Sequence, residues 1–156
     1  LEAVPKFRKF GGYTAYIEGW ALYSEQLGIE MGLFEDPYQY FGKLSDEMLR
    51  AMRLVVDTGL HAKGWTREQA IQYMMDNSPM AESDIIAEVE RYMAIPGQAL
   101  SYKVGQLKIL SLRTQAEEAL GDKFDLKAFH DQILTTGSLP MEVMELKVND
   151  WIAKQK

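Results

Sequence analysis

Apolar residues recur at helical spacing along almost the whole chain, and no segment alternates polar and apolar residues over the length of a typical strand. A chain with this pattern buries its apolar side chains by packing helices against helices. Its 156 residues, 47% of them hydrophobic, are enough to form a core. We therefore predict an all-α protein, a single helical domain of about six or seven helices over residues 1–156.

Capping and helix-breaking residues predict where the helices begin and end. Asp36 before Pro37 is a typical helix start, and Thr66 with Gln69 forms a capping-box pattern. Gly121 marks the end of a helix. After a loop over residues 1–12, we expect helices over residues 13–32, 37–60, 67–76, 97–120, 126–135 and 141–153, and a further helix that ends at residue 93 and is capped by Ser78 or Ser83.

The second predicted helix carries two stripes of side chains at helical spacing. Its apolar stripe predicts a face that packs on the core, and Gly42 is a position where this helix could divide. Its polar stripe is typical of a solvated outer face, although Arg53 or His61 could instead contact a substrate, since histidine exchanges protons near neutral pH. The apolar stripe comprises Leu44, Met48, Met52 and Val55, and the polar stripe comprises Asp46, Arg50, Arg53, Asp57 and His61.

Composition excludes several classes of function. The net charge of −6, spread along the chain, argues against a nucleic-acid partner. Without cysteine there is no disulfide and no thiolate ligand, and the wide separation of His61 from His130 excludes a local histidine pair. No run of about 20 apolar residues is present to span a bilayer. We therefore predict no complete metal site and no membrane span in these residues.

Glu18 is the most unusual polar residue of the first predicted helix. Its neighbours three and four positions away are small or apolar, among them Ala15 and Leu22. A buried carboxylate needs a proton, a cationic partner or a metal ion, because burying it alone is costly. The alternative is a partly exposed, solvated face, the usual environment of a single glutamate. Glu25 lies two helical turns further along the same face.

Gln98, Tyr102 and Gln106 are spaced by four residues and place two amides and a phenol on one side of a long helix. This pattern fits either a functional site or a structural tyrosine whose hydroxyl is bound by glutamine. Gly105 allows another part of the protein to approach the backbone closely. His130, by contrast, is expected to be a surface or capped histidine.

Three segments resemble the bacterial family called domain of unknown function 885: FGGYTAYIEGWALYSE at residues 10–25, RLVVDTGLH at 53–61 and IPGQALSYKVG at 95–105. They occur in the family's order, and the resemblance covers essentially the whole chain. The family is similar to the gluzincin zinc metallopeptidases, a group of helical enzymes. The resemblance implies the C-terminal part of a gluzincin-like helical fold and, for a longer parent protein, zinc-dependent hydrolysis of peptide bonds.

The resemblance also implies roles for individual residues. Glu18 takes the place of the glutamate that binds zinc, and Glu25 that of a neighbouring carboxylate that orients a ligand. Tyr102 resembles the tyrosine that stabilises the oxyanion of the tetrahedral intermediate. Contacts with the peptide substrate are implied for Arg53, His61, Gln98 and Lys103.

The chain departs from the family pattern because it lacks the upstream segment with two histidines and a glutamate. It also begins at Leu1 without an initiator methionine or signal peptide, so we interpret it as a fragment that is inactive by itself and binds zinc at most weakly. The alternative is a non-catalytic helical scaffold or peptide-binding module. The family implies a bacterial protein, periplasmic or associated with the envelope. An apolar surface exposed by truncation predicts self-association.

Overall fold

The computed structural model describes residues 4–156, and within that range it contains eight α-helices, two short 3₁₀ helices and no β-strand. The all-α class predicted from the sequence is therefore confirmed. The 3₁₀ helices are Gln98–Leu100 and Gly121–Lys123. The α-helices are α1 Lys6–Phe10, α2 Thr14–Glu30, α3 Pro37–Ala62, α4 Arg67–Asn77, α5 Glu82–Ala94, α6 Ser101–Leu120, α7 Leu126–Leu134 and α8 Met141–Gln155.

The residues cluster into two compact units, which we describe one at a time. The terminal unit comprises described residues 4–23 and 104–156, and the central unit comprises Ser24–Lys103. The division falls within α2 and α6, so each of these two helices contributes residues to both units. Across the described part of the chain, no helix combines the length and the apolar character needed to cross a membrane.

Helix capping explains three of the helix starts. The Asp36 carboxylate accepts a hydrogen bond from the backbone N–H of Tyr38 at 2.8 Å, and Asp125 does the same for Ala128 at 2.9 Å. The capping box predicted at the start of α4 is also present, with hydrogen bonds in both directions between Thr66 and residue 69. These side chains satisfy backbone N–H groups that have no partner inside the helix.

The start of α5 differs from the prediction. Neither Ser78 nor Ser83 caps this helix; it begins after Ala81, which offers no side-chain acceptor. The Ser78 hydroxyl instead donates to the backbone carbonyl of Met74 at 2.8 Å, at the end of the preceding helix. The prediction was wrong because a serine can bond backward to a carbonyl as readily as it caps the next helix.

Three other boundaries need correction. The predicted N-terminal loop contains α1, a helix of five residues that is too short to give a periodic pattern; residues 1–3 of that loop lie outside the described residues. Gly42 does not divide α3, because a single exposed glycine costs only about 1 kcal/mol in a long helix. Gln98 lies in a 3₁₀ turn before α6, so its regular spacing with Tyr102 is interrupted.

The central unit is built around a core shared by α3, α4 and α5. Gly59 of α3 is needed for this packing, since a Cβ atom there would lie 2.5 Å from the ring of Trp65. The indole closes the turn between α3 and α4 by covering the glycine. The buried core residues are Met52, Val56, Ala70, Ile71, Met74, Ile85, Val89, Tyr92 and Ala99.

The apolar stripe predicted on α3 is mostly exposed. Met52 is buried, but Leu44, Met48 and Val55 are 43%, 50% and 38% exposed. The prediction failed because the buried side of α3 includes the charged residues Arg53 and Asp57, which spacing assigned to the solvated face.

Self-association, expected from an apolar surface exposed by truncation, stays a prediction, and the exposed face of α3 is one apolar surface that could support it. The exposed side chains of Leu44, Met48 and Val55 would be shielded from water if two copies paired along α3. We expect the apparent mass from light scattering to rise with protein concentration. A clean monomer at high concentration would contradict this prediction.

In the terminal unit, α2 and α6 approach so closely that their backbones touch. A Cβ atom on Gly105 would lie 1.9 Å from the carbonyl oxygen of Ala15 and 2.7 Å from the Cα atom of Gly19. Distances this short leave no room for any side chain. The prediction that Gly105 permits a close backbone approach is therefore confirmed, and the approaching partner is helix α2.

His130 is not the surface histidine that the sequence suggested. It is half-buried on α7, where the rings of Trp20 and Tyr23 lie edge-on to it, with centroids 5.3 and 5.6 Å away. The fully buried Tyr23 hydroxyl is 2.8 Å from Nε2 of His130 and accepts a hydrogen bond from Arg113 at 3.3 Å. This histidine has a structural role inside the terminal unit.

Candidate functional site

Arg53 occupies the centre of a polar cluster in the central unit. Its side chain is only 7% exposed. Nε donates to the hydroxyl of Tyr92 and Nη2 to the carboxylate of Glu88, both at 2.8 Å. Nη1 is also buried and has no hydrogen-bond partner among the described residues. Arg53 is therefore not on a solvated face, which corrects that interpretation, while its contact with a substrate stays a prediction.

Glu88 is the counter-ion of this cluster. Its carboxylate accepts hydrogen bonds from Arg53, from Arg91 and from the hydroxyl of Tyr92. Burial alone would raise the pKa of Glu88, but hydrogen bonds from Arg91, Tyr92 and Arg53 outweigh burial and lower it to about 2. The carboxylate therefore stays charged at all ordinary pH values.

The same contacts shift the pKa values of two of the three partners of Glu88, Tyr92 and Arg53. Burial, assisted by the hydrogen bond to Glu88, raises the pKa of Tyr92 to about 12, so its phenol stays neutral. Burial would lower the pKa of Arg53, but Tyr92 and Glu88 outweigh this effect and raise it. The cluster is thus a fixed ion pair bridged by a neutral phenol.

Tyr102 lies beside this ion pair at the start of α6. The guanidinium carbon of Arg53 is 4.9 Å from the centroid of its ring, and that of Arg50 is 5.7 Å away. Both distances fall within the range of cation–π contacts. The side chain is half-buried, and its hydroxyl makes no hydrogen bond with any residue that the structure describes. Tyr102 therefore has a fixed ring and a hydroxyl that the described protein leaves unused.

Lys103 is held by a second carboxylate. Its Nζ donates to Glu47 at 2.7 Å, and Lys43 donates to the same carboxylate. These two hydrogen bonds lower the pKa of Glu47. The ammonium of Lys103 is therefore paired within the central unit.

His61 and Gln98 border the turn that joins α5 to α6. His61 is exposed, and its Nε2–H donates to the backbone carbonyl of Tyr92 at 2.9 Å. The amide oxygen of Gln98 accepts from Arg91 at 3.3 Å. Both carboxylate oxygens of the buried Asp57 accept the N–H of Gly97, at 3.0 and 3.2 Å, and so fix the turn.

Asp57, His61 and Gln98 make contacts near the junction of α5 and α6 that spacing alone could not reveal. Asp57 binds Gly97 in the turn, His61 binds the backbone carbonyl of Tyr92 in α5, and Gln98 binds Arg91 of α5. From the sequence, Asp57 was placed only in the polar stripe of a solvated face. Its function in fixing the turn depends on Gly97, whose φ of 82° favours glycine.

Glu18 and Glu25 of α2 lie in different units. Glu18 belongs to the terminal unit and is half-buried. Glu25 belongs to the central unit, where burial raises its pKa and the nearby Arg50 opposes that rise. Among residues 4–156, no group of three histidine, aspartate or glutamate side chains is arranged to hold a metal ion.

Glu88 and Tyr92 are the members of this polar cluster that were not predicted from the sequence. They stand four residues apart on α5, with Arg91 three residues after Glu88. That spacing on one helix face was a usable signal for a polar cluster. Their pairing with Arg53, 35 and 39 residues away in the chain, could be found only from the fold.

Comparisons with known proteins identify relatives of the chain. A bacterial family described as "Bacterial protein of unknown function (DUF885)" matches residues 1–148. The structure is similar to that of the putative lipoprotein from Colwellia psychrerythraea, with 59% identity and a TM-score of 0.92 over 95% of this chain and 26% of that one. It is also similar to a putative lipoprotein of unknown function from Shewanella oneidensis, with 29% identity and a TM-score of 0.86 over 93% of this chain and 27% of that one.

The chain thus spans about a quarter of the length of these two solved structures. Curated proteins gave no match.

Proposed function

We propose that this chain, which belongs to the bacterial DUF885 family of unknown function, forms the C-terminal part of a zinc-dependent peptide hydrolase. The observation that carries the proposal is the environment of Tyr102. Its ring is held beside two guanidinium groups, and its hydroxyl has no hydrogen-bond partner in residues 4–156. The two guanidinium groups hold the ring in place, so this phenol is positioned to donate to the oxyanion of a tetrahedral intermediate.

The described residues alone do not make a zinc site. Catalytic zinc sites have about three protein ligands, whereas no such group is present in residues 4–156. We therefore assign no reaction step to a zinc ion. In a longer protein, Glu18 would provide one carboxylate ligand, and Glu25 would be a neighbouring carboxylate that orients a ligand.

Arg53 takes a different role in this proposal from the one that the resemblance implied. Its charge is neutralised by Glu88, so we assign it to positioning Tyr102 rather than to binding substrate. His61, Gln98 and Lys103 remain proposed contacts with a peptide substrate. Of these, His61 is the most exposed, which favours it as a direct contact.

The names of the two similar structures support a location for the protein. Both are described as putative lipoproteins, and lipoproteins are attached to membranes through lipid rather than through a spanning helix. We therefore propose that the protein is associated with the bacterial envelope.

Changing Tyr102 to phenylalanine tests the proposed chemistry. In a longer protein that carries this segment, we expect Tyr102→Phe to lower kcat for peptide hydrolysis by about a hundredfold or more, since it removes one oxyanion donor. Turnover is measured on a defined peptide mixture by mass spectrometry. Tyr38→Phe is the matched control because Tyr38 is 84% exposed. An unchanged kcat for Tyr102→Phe would show that the hydroxyl has no catalytic role.

Changing Glu18 to glutamine tests the proposed zinc ligand. In the longer protein we expect Glu18→Gln to reduce the bound zinc well below one ion per chain, because a neutral amide is a much poorer ligand than a carboxylate. Zinc content is measured by elemental analysis, with Glu35→Gln, an exposed glutamate, as control. Retention of one zinc ion per chain would contradict the assignment.

A non-catalytic scaffold is the second candidate. It is favoured by the lack of any three-ligand group among residues 4–156. A longer protein that binds no zinc and cleaves no peptide in these assays would support the scaffold and overturn the hydrolase.

A further inference from the structure

A cavity of about 360 Å³ lies in the terminal unit, between α1 and the segment that leads into α8. Its volume falls within the range of small-molecule sites. Its walls are largely apolar and include Phe7, Leu139 and Val143, while Arg8 and Ser138 provide polar groups. Apolar walls with a few polar groups are typical of a ligand site.

Arg8 brings an uncompensated positive charge to this cavity. Its side chain is half-buried, and it forms no ion pair with any carboxylate in the described residues. The guanidinium lies over the ring of Phe7, at 5.6 Å from the centroid. Burial lowers the pKa of nearby Lys147, and the charge of Arg8 lowers it further, although Asp131 opposes this.

Ser138 provides the second polar group. Its Oγ accepts the backbone N–H of Tyr13 at 2.9 Å, so its own hydroxyl hydrogen remains available for another acceptor. The same hydrogen bond ties the Gly11–Tyr13 turn to the segment before α8. This hydrogen bond therefore joins the two walls of the cavity and fixes the position of Ser138.

We propose that this cavity binds a monocarboxylate joined to a short aliphatic chain. Arg8 pairs with the carboxylate, Ser138 donates to it, and Phe7, Leu139 and Val143 enclose the chain. One guanidinium, with no ion pair among residues 4–156, matches the charge and planar shape of one carboxylate. A free fatty acid and the C-terminal residue of a hydrophobic peptide share this chemistry. This site is independent of the proposed hydrolase activity.

The test is a titration of the ¹⁵N-labelled 156-residue chain with octanoate, followed by NMR. We expect saturable shift changes at the amides of Gly11, Gly12 and Ser138. Octanol lacks the charge and acetate lacks the chain, so each should bind at least about tenfold more weakly than octanoate. N-acetyl-leucine distinguishes the two sources: tighter binding than octanoate indicates a peptide C-terminus, and weaker binding indicates a fatty acid.

Two substitutions locate the site. Arg8→Gln should weaken octanoate binding at least about tenfold, because it removes the charged partner of the carboxylate. Lys9→Gln is the matched control: it removes the next cation of α1, which does not line the cavity, and should leave binding unchanged. Val143→Trp should block binding by filling the cavity, and its amide spectrum reports whether the fold is kept.

Three results would each overturn the proposal: equal binding of octanoate and octanol, equal effects of Arg8→Gln and Lys9→Gln, or shift changes confined to residues away from the cavity. If Val143→Trp loses its folded spectrum, the comparison of Arg8→Gln with Lys9→Gln alone decides, since both positions lie on the surface helix α1.

Discussion

Replacing Gly105 by alanine should lower the free energy of unfolding by more than about 3 kcal/mol. The added Cβ atom would lie 1.9 Å from the carbonyl oxygen of Ala15 and 2.7 Å from the Cα atom of Gly19. Both obstacles are backbone atoms, so no side chain can rotate to make room and α2 must move away from α6. Such a displacement also opens the buried contacts on either side of the crossing. Urea denaturation followed by circular dichroism measures the change.

Gly42→Ala is the matched control for this experiment. Gly42 also lies inside a helix, but a Cβ atom there meets nothing within 4 Å. Alanine should therefore raise the free energy of unfolding by about 0.5–1 kcal/mol through its higher helix propensity. A lower free energy of unfolding for Gly105→Ala and a higher one for Gly42→Ala would show that the loss comes from the close helix crossing and not from helix propensity. A Gly105→Ala variant as stable as the original chain would show that the helices do not touch as described.

The helical class and most helix ends could be predicted because they depend on neighbours in sequence. The capping box at Thr66 and the cap at Asp36 involve residues two or three positions apart, and both were confirmed. Gly105 was also predicted to allow a close approach. Its partner, Gly19, lies 86 positions earlier in the chain, and no local pattern indicates that the two glycines meet.

The candidate site was harder to predict because burial decides what a charge does. Spacing on α3 indicated a solvated polar stripe, yet Arg53 and Asp57 are buried while Leu44 and Met48 are exposed. A long-range partner makes this possible: the charge of Glu88 neutralises the guanidinium of Arg53. Residue types predicted the chemistry available to the helix, but only the fold shows which side of α3 faces inward.

Replacing Glu88 by glutamine should reduce stability in a manner that depends on pH. The pKa of Glu88 is lowered from 4.5 to about 2 in the folded chain, because the hydrogen bonds from Arg91, Tyr92 and Arg53 outweigh the opposing effect of burial. A lowered pKa stabilises the fold above the unfolded value of 4.5, and this contribution is lost as the pH falls from 4.5 towards 2. Because the Glu88 carboxylate is partly exposed and solvent screens its charge, we discount this contribution to about 2 kcal/mol.

We therefore expect Glu88→Gln to be about 2 kcal/mol less stable than the original chain at pH 7, and the difference to shrink as the pH approaches 2. At that pH the original carboxylate is itself half protonated, so most of the stability that its charge contributes is already lost. Urea denaturation at a series of pH values gives the two curves. Glu90→Gln, on the exposed side of α5, should follow the original chain because its ion pair with Arg67 is at the surface.

The shape of the Glu88→Gln curve separates two explanations of the cluster. If Glu88 stabilises the fold through its charge, the difference from the original chain disappears in acid. If it contributes only by filling space and accepting hydrogen bonds, the glutamine variant differs by a constant amount from pH 7 to pH 2. The second result would mean that the buried charge of Arg53 does not depend on Glu88, and it would remove the basis for assigning Arg53 to the positioning of Tyr102.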